Sequence, residues 1–509
     1  MKKILFILFF LISLSGFGQD ANYYVSQSDG DDGDSGLTPA LAWKTINKLD
    51  ATTFQADDSI FFNRGDTWRE QFAPLGDGTL GHNVVITAYG TGSKPLITAR
   101  DSISGWSRDA NWTNTSGNIW RMAAVRFGSL DHIRLFVDGI EMNRAQTASV
   151  TSTYRWFFDS PTADPADDRL YLYSVGNPGA TYTDISTSFG RASCIILSSD
   201  NYFTISYLEL QDGQSSIDIT NCAGTVIDSC RVSGWYGIWV SGGTGTWSNG
   251  GEIKNCIINS ENTSTGYTWN PTYTYDAIKI NGNVKNWNIH NNYVKDYGHS
   301  SINLINTVAG RRIDTIKVYN NLFRSPNQDF GGRIEVDYLA GSGNEFYKNK
   351  IYNISVSNQI NGENLKFYYN IIDTVKASVY SPTNAIGIII SGYELTSTPH
   401  NMEFYNNVIA NCVDEGVYIS HALGTRPAKY NINFTNNILY NNGGSIMVFV
   451  DAVLPADSVR NNTFKNNIIY DNGGGTPITY RGTAMSVTTF NSQNGTEGDV
   501  ILSNLGDNP

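Results

Sequence analysis

The sequence predicts an all-β solenoid of stacked coils, capped by a helix at its N-terminal end. Three observations carry this prediction. First, a short phrase recurs through the central half as "KNCIIN", "NNYVKD", "NNLFRS", "KNKIYN", "YNIIDT", "NNVIAN", "NNILYN" and "NNIIYD". It places Asn255, Asn292, Asn321, Asn349, Asn370, Asn407, Asn437 and Asn467 at intervals of 21–37 residues. Second, a strand pattern such as "IKVY" or "MEFY" precedes each phrase, and another such as "AIKIN", "SINLI", "RIEVD" or "GVYIS" follows after a variable loop. Third, no helical periodicity intervenes. A unit of this length cannot bury its own apolar side, whereas stacked units bury a continuous core. The asparagine column has a physical reason. A side-chain amide in a tight turn bonds its own turn and the equivalent residue one coil away, and Asn tolerates the left-handed backbone.

Over about residues 190–475 this pattern resembles the right-handed parallel β-helix of the pectate-lyase-like superfamily, with its asparagine ladder. The elements then follow in chain order. Residues 1–18, "MKKILFILFFLISLSGFG", read as a secretory signal peptide: two lysines, an apolar stretch, and small residues before a cut at Gln19. Residues 19–185 read as an N-terminal cap, early coils and a β-rich insertion. Within them "NYYVSQSDGDDGDSGLTPALAWKTINKL" gives a strand, an Asp/Gly turn and an amphipathic helix around Ala42–Leu49. Such a helix is needed to cover the exposed strand edges of a terminal coil. The cluster Asp29, Asp31, Asp32 and Asp34 reads as a polar turn, with Ca²⁺ as the alternative that clustered oxygens would serve. Residues 186–509 read as the β-helix, ending at "ILSNLGDNP" partway through a coil, as a truncated sequence would.

Composition narrows the function. Only 16 % of residues are charged, the net charge is −12 and no Lys/Arg run occurs, which argues against a nucleic-acid partner. With 29 Tyr and 11 Trp among abundant Asn, the surface suits neutral-polar ligands such as sugars. No later stretch reaches the length of a membrane span. The five cysteines are an odd count for an exported chain, and Cys230 and Cys256 read as small buried hydrophobes. The expected protein is a secreted (extracellular or periplasmic) monomer that binds a polysaccharide, with no membrane partner.

Strand alternation locates the chemistry. If Ile278 and Ile280 point inward, Lys279 points outward with Ala277 and Asn281. By the same alternation Asn303, Arg333, Glu335 and Asp337 point outward from their coils. The outward middle column reads Asp218, Trp239, Lys279, Asn303, Glu335, continuing to Ile389 and Tyr418, with Asp276 and His299 just ahead of two of these strands. Strand 333–337 needs only Ile334 and Val336 for the core, so its three outward charges are candidates for function. Glu335 and Asp337 are the expected acid/base pair, with Cα atoms about 6.6 Å apart at i and i+2 and His299 or Asp276 in reserve. Lys279, Arg333, Asn303 and Trp239 are expected to bind substrate, together with Trp269, Tyr273 and Tyr275 from the long loop "NSENTSTGYTWNPTYTYD". A second charged segment, Asp414, Glu415, Tyr418 and His421, is the fallback.

Two chemistries fit. Glycoside hydrolysis needs two carboxyl groups flanking the scissile bond. β-Elimination on a uronic acid needs a Lys, Arg or His base and a cation for the carboxylate; Lys279 or Arg333 would serve as base, with Asp276, Glu335 and Asp337 holding Ca²⁺. A non-catalytic polysaccharide binder or adhesin is the third reading. The stretches "VVITAYGTGSKPLITARDSISGW" and "RLFVDGIEMNRAQ", with the signal peptide, the N-terminal module and the coils, resemble secreted polysaccharide-degrading enzymes of Bacteroidetes. The likeness is nearer to β-helix glycoside hydrolases (fucosidase, xylanase and endo-fucanase relatives) than to lyases, since neither the clustered Asp calcium motif of pectate lyases nor the Lys/Arg motif of β-helix alginate lyases stands in this sequence. That resemblance implies endo-hydrolysis of an anionic or sulfated algal-type glycan such as fucan; no cofactor is expected, with Ca²⁺ as the alternative.

Overall fold

The structure is a computed structural model. It describes residues 20–506 except 104, 124–133, 145–154, 160–167, 189–192, 260–275, 307, 309, 327–330, 338–340, 379–384, 392–398, 422–428, 451–458, 473–475 and 496–498. Residues 1–18, expected to be a signal peptide, and the aromatic residues Trp269, Tyr273 and Tyr275 therefore lie outside the described residues.

Three long parallel sheets wrap one core. The first, of 15 strands, runs from Asn22–Val25 to Val500–Leu502; the second, of 13, from Thr67–Trp68 to Leu505–Gly506; the third, of 12, from Ser193–Ser198 to Thr483–Met485, the last of which turns back antiparallel to Ile478–Tyr480. Each coil contributes one strand to the third sheet, then one to the first, then one to the second, so residues one coil apart become neighbours in register. This is a parallel β-helix. The interior is a set of columns: Ile238, Ile278, Ile302 and Ile334 follow one another up the third sheet, all fully buried. Up the first sheet Phe346, Phe367, Phe404, Phe434 and Phe464 stack with ring centroids 4.5–6.1 Å apart.

Strands Asn22–Val25, Ser59–Asn63 and Val84–Tyr89 already belong to the first sheet, and the last of them pairs directly with Phe203–Ser206. The chain leaves the solenoid after Leu96–Thr98 and returns at Ser193–Ser198. Between these points lies an eight-stranded, mostly antiparallel sheet with its own core of Leu135, Trp156, Leu170, Leu172 and Ile185. The N-terminal helix is shorter than the sequence suggests, Ile46–Asp50 rather than Ala42–Leu49. Trp43 is held in a bridge to Val25, and Thr45 caps the helix by accepting from Lys48 N. Ile46 and Leu49 are buried over the coil end. In the aspartate turn, Asp32 Oδ1 accepts from Lys44 N and Thr45 N, and Asp31 Oδ1 accepts from Gly33 N.

The asparagine ladder runs Asn292, Asn321, Asn349, Asn370, Asn407, Asn437, Asn467 and on to Asn504, each Nδ2 donating to the next Oδ1 at 2.9–3.2 Å. Asn255 is not part of it. Ile257 pairs with Tyr293, so Cys256 stands at the ladder position and its N–H donates to Asn292 Oδ1. Asn255 instead takes the left-handed turn at φ 54° that Asn291 and Asn320 take on later coils. The doubled "NN" thus divides two tasks: the first residue turns the backbone and the second makes the ladder. All five cysteines are buried thiols.

Candidate functional site

The outward column is in the expected register: Asp218 opposes Trp239, which opposes Lys279, then Asn303, Glu335, Gln359, Ile389 and Tyr418. A second column stands at the strand entrance, where Asp276 opposes Ser300 and Ser300 opposes Arg333. The register shifts between Ser300 and Ile302. Two consecutive residues, Ala277 with Ile278 and Ser301 with Ile302, are buried there. Ala277 therefore lies in the core and not beside Lys279 on the outer face as simple alternation implies. A bulge of this kind re-aims the residue before it, which brings Asp276, Ser300 and the preceding His299 to the face that carries Glu335.

These side chains form one network. His299 Nδ1 lies 2.8 Å from Asp276 Oδ1, 3.1 Å from Ser300 Oγ and 3.4 Å from Glu335 Oε2. Asn303 Nδ2 donates to both carboxylates, to Asp276 Oδ2 at 3.1 Å and Glu335 Oε2 at 2.9 Å. Ser300 Oγ donates to Glu335 Oε2 at 2.9 Å. A terminal nitrogen of Arg333 reaches Glu335 Oε1 at 2.6 Å and His299 Nε2 at 2.5 Å. Because a guanidinium only donates, Nε2 is the acceptor in that contact and Nδ1 carries the hydrogen that faces Asp276. Lys279 Nζ is 3.8 Å from Asp276 Oδ2 and 3.3 Å from Tyr236 Oη, over the rings of Tyr236 and Trp239 at 4.5 and 5.2 Å. Cations over aromatic faces gain from the ring quadrupole.

The side chains point away from the core yet are not solvated. Asp276 is fully buried, and His299, Asn303, Glu335 and Asp337 are each less than a tenth exposed. Neighbouring coils about 4.8 Å away cover them with each other's side chains. Burial alone would raise the Asp276 carboxyl, but the hydrogen bond from His299 and then the charges of Lys279 and Arg333 outweigh it and hold it below the ordinary carboxylate range. Every group hydrogen-bonded to Glu335 above is a donor.

The structure thus brings Glu335 together with Asp276, His299, Arg333, Asn303 and Lys279. Asp337, expected to pair with Glu335, has other partners: Gln359 Nε2 at 2.7 Å and Asn361 Nδ2 at 3.4 Å. Sequence reading missed Ser300, Tyr236, Gln359 and Asn361, whose signal was their register opposite or beside the charged residues. Asp276, His299 and Glu335 also place one ligand atom each within 4.8 Å of one another, a spacing a metal ion could use. Their oxygens, however, already receive Asn303, Ser300, Arg333 and Lys279. Among the described residues no helix is long and apolar enough to cross a membrane.

Comparison with known proteins agrees with the architecture. Residues 397–495 match the family model described as right handed beta helix region. A segment of 182 residues is 25 % identical to the lacto-N-biosidase of Bifidobacterium longum subsp. longum, covering 32 % of this chain and 11 % of that protein. The chain therefore spans only a small part of that relative. Among solved structures, the GH136 lacto-N-biosidase of Eubacterium ramulus is similar over 96 % of this chain and 68 % of its own, with 12 % identity and a TM-score of 0.47. A mannuronic acid specific polysaccharide family 6 lyase from human gut microbiota is similar over 91 % and 82 %, with 12 % identity and a TM-score of 0.47. These are likenesses of fold.

Proposed function

We propose that the chain is an exported enzyme that cleaves an acidic polysaccharide by hydrolysis, with His299 and Glu335 at its centre. One observation carries this reading: Glu335, which accepts from three donors, lies 3.4 Å from an imidazole nitrogen whose hydrogen faces a buried carboxylate, Asp276. Glycoside cleavage needs a carboxylate to meet the positive charge that develops at the anomeric carbon and a group that carries a proton to or from the departing oxygen. Glu335 would do the first and His299 the second. Asp276, which is inaccessible, positions His299. Lys279 and Arg333 would take an anionic substituent, a sulfate or a uronate. The sequence relationship to a lacto-N-biosidase supports hydrolysis, and the resemblance of the N-terminal stretches to fucan- and xylan-active enzymes supports a sulfated or algal-type substrate.

A second reading, β-elimination on a uronic acid polymer, is favoured by the contact between Arg333 and His299 Nε2. A cation beside a basic nitrogen could neutralise the uronate while the ring takes its proton. Mass spectrometry of products from fucans, carrageenans, alginate, ulvan and pectins separates these outcomes. Gain of one water per cut supports hydrolysis; an unsaturated, ultraviolet-absorbing uronide with no gain replaces it by elimination. Binding without any cleavage would leave a polysaccharide-binding protein.

A further inference from the structure

The asparagine ladder begins at Asn292, and the two coils before it carry cysteines at the same corner. Arg231 opposes Ile257, so Cys230 and Cys256, each one residue earlier, are neighbours on successive coils. Ile257 N–H donates to Cys230 O at 3.0 Å, and Cys256 N–H donates to Asn292 Oδ1 at 2.9 Å. Each cysteine follows a residue in the left-handed region, Ser229 at φ 55° and Asn255 at φ 54°, so the two corners share one backbone shape. Their sulfurs repeat as well. Cys230 Sγ lies 3.5 Å from Asp228 O and 3.6 Å from Ile205 O. Cys256 Sγ lies 3.1 Å from Lys254 O and 3.9 Å from Ile227 O, the equivalent atoms one coil on. Cys194 and Cys222 stand elsewhere, near the start of Ser193–Ser198 and past the end of Ser215–Thr220, and Cys412 opposes Val375.

Successive coils hold equivalent Cα atoms about 4.8 Å apart, inside the span of roughly 4.4–6.8 Å that a disulfide bridges. The two thiols are also in contact. Burial raises both, and the hydrogen bond between them then brings Cys230 below its ordinary value and pushes Cys256 further up. The Asn292 amide is held by the Cys256 backbone N–H and by Ile253 O, so joining the sulfurs leaves the ladder intact. We propose that Cys230 and Cys256 are a modification site, joined in the exported protein as a disulfide that continues the ladder with a covalent rung. The inference rests on the export in the reading above and not on the cleavage, because disulfides form and persist in oxidising compartments. Each S–H gives up its proton and one S–S bond forms. The two electrons pass to the disulfide of a thiol–disulfide oxidoreductase, which leaves as a dithiol. Both cysteines are covered in the finished fold, at 2 % and 1 % exposure, so the exchange precedes closure of the coil that carries Asn292. The bond closes a loop of about 25 residues, which constrains the unfolded chain and so favours the folded one.

The full chain, secreted into the periplasm of a bacterial host behind its own residues 1–18 and, separately, behind a host leader, tests this. Each sample is denatured in iodoacetamide without reductant, and intact mass counts the labels. A sample reduced beforehand calibrates the count at five, one for each cysteine. The expected result is three labels on the exported protein, with peptide mapping that joins the Cys230 and Cys256 peptides. Reductant should also lower its melting temperature by a few degrees, a response that Cys230→Ala together with Cys256→Ala abolishes. Five labels on the folded exported protein, or a bond joining any other pair, overturns the proposal. A chain that stays in the cytoplasm behind its own leader removes the export reading; a closed pair in the host-leader sample then keeps the site, and an open one overturns it. Three labels on a protein that cleaves no polysaccharide keep the disulfide while the cleavage reading fails, and five labels on an active one do the reverse.

Discussion

Asp276 Oδ1 lies 2.8 Å from His299 Nδ1, at the start of strand Asp276–Gly282. The two residues come from successive coils and meet because a bulge turns both toward the outer face. A fully buried carboxylate in this position does two things. It fixes which ring nitrogen carries the hydrogen, and it stabilises the charge of the ring when it takes up a second one. Asp276→Asn preserves shape and removes both effects. We expect turnover to fall by roughly 10²–10⁴, the range for a lost acid/base contribution, with KM little changed because Asp276 cannot touch substrate. Steady-state kinetics on the cleaved polymer check this.

The same carboxylate gives a pH signature. Its folded-state pKa is depressed below that of the unfolded chain, so the stability it contributes is present above the ordinary carboxylate value of about 3.9 and is lost as pH falls below it. We expect the wild-type melting temperature to drop more steeply in that acid range than that of Asp276→Asn. Parallel curves for the two proteins would contradict the depressed pKa.

Glu335→Gln should separate binding from turnover. The amide keeps one accepting oxygen but turns a donor toward Ser300, Asn303 and Arg333, groups that need an acceptor. We expect turnover to fall roughly 10²–10⁴, polysaccharide retention to persist, and stability to fall by about 1–3 kcal/mol for the unsatisfied buried groups. Asp337→Asn should lose much less activity, because Asp337 is hydrogen-bonded by Gln359 and Asn361. Equal losses for the two variants would restore a Glu335/Asp337 acid/base pair.

How much of this was legible beforehand follows from which physical rule applies where. The solenoid was legible because stacking repeats its demands every coil: buried Ile and Phe, and an amide at each turn. The register Asp218–Trp239–Lys279–Asn303–Glu335 was legible because alternation holds through the middle of those strands. Alternation fails at their entrance, where Ala277 and Ser301 are extra inward residues, so the direction of Asp276 and Ser300 could not be read from parity. The aromatic side chains of the 259–276 loop offered no such rule, and the depth at which the charges are covered depends on neighbours one coil away that no local pattern reveals.

Lys279 offers a readout specific to anionic substrates. Its ammonium stands over Tyr236 and Trp239 and within 3.8 Å of Asp276, only partly balanced by that carboxylate. Lys279→Met keeps most of the apolar stem. We expect KM for an acidic polymer to rise about tenfold, on the scale of one charge-assisted hydrogen bond, and the salt sensitivity of KM to weaken because a charged contact is gone. A Lys279→Met enzyme with unchanged KM and unchanged salt response would remove this residue from substrate binding.

The ladder makes the last prediction, on stability alone. Asn321 accepts from the N–H and the Nδ2 of Asn292 and donates to Ile289 O and Asn349 Oδ1, all within the buried turn column. Asn321→Ala leaves several of these groups without partners and without water, at about 1–3 kcal/mol for each group stranded. Asn255 carries an identical side chain in a similar phrase, yet it is exposed at φ 54° and its amide donates to Asp228 Oδ1, at 2.9 Å, on the outer turn. Glycine accepts that backbone without strain, so Asn255→Gly should change stability by under about 1 kcal/mol. Urea unfolding of the two variants side by side measures the difference. We expect a large shift of the midpoint for Asn321→Ala and almost none for Asn255→Gly, and similar shifts would mean that the column does not carry the turn energy its geometry implies.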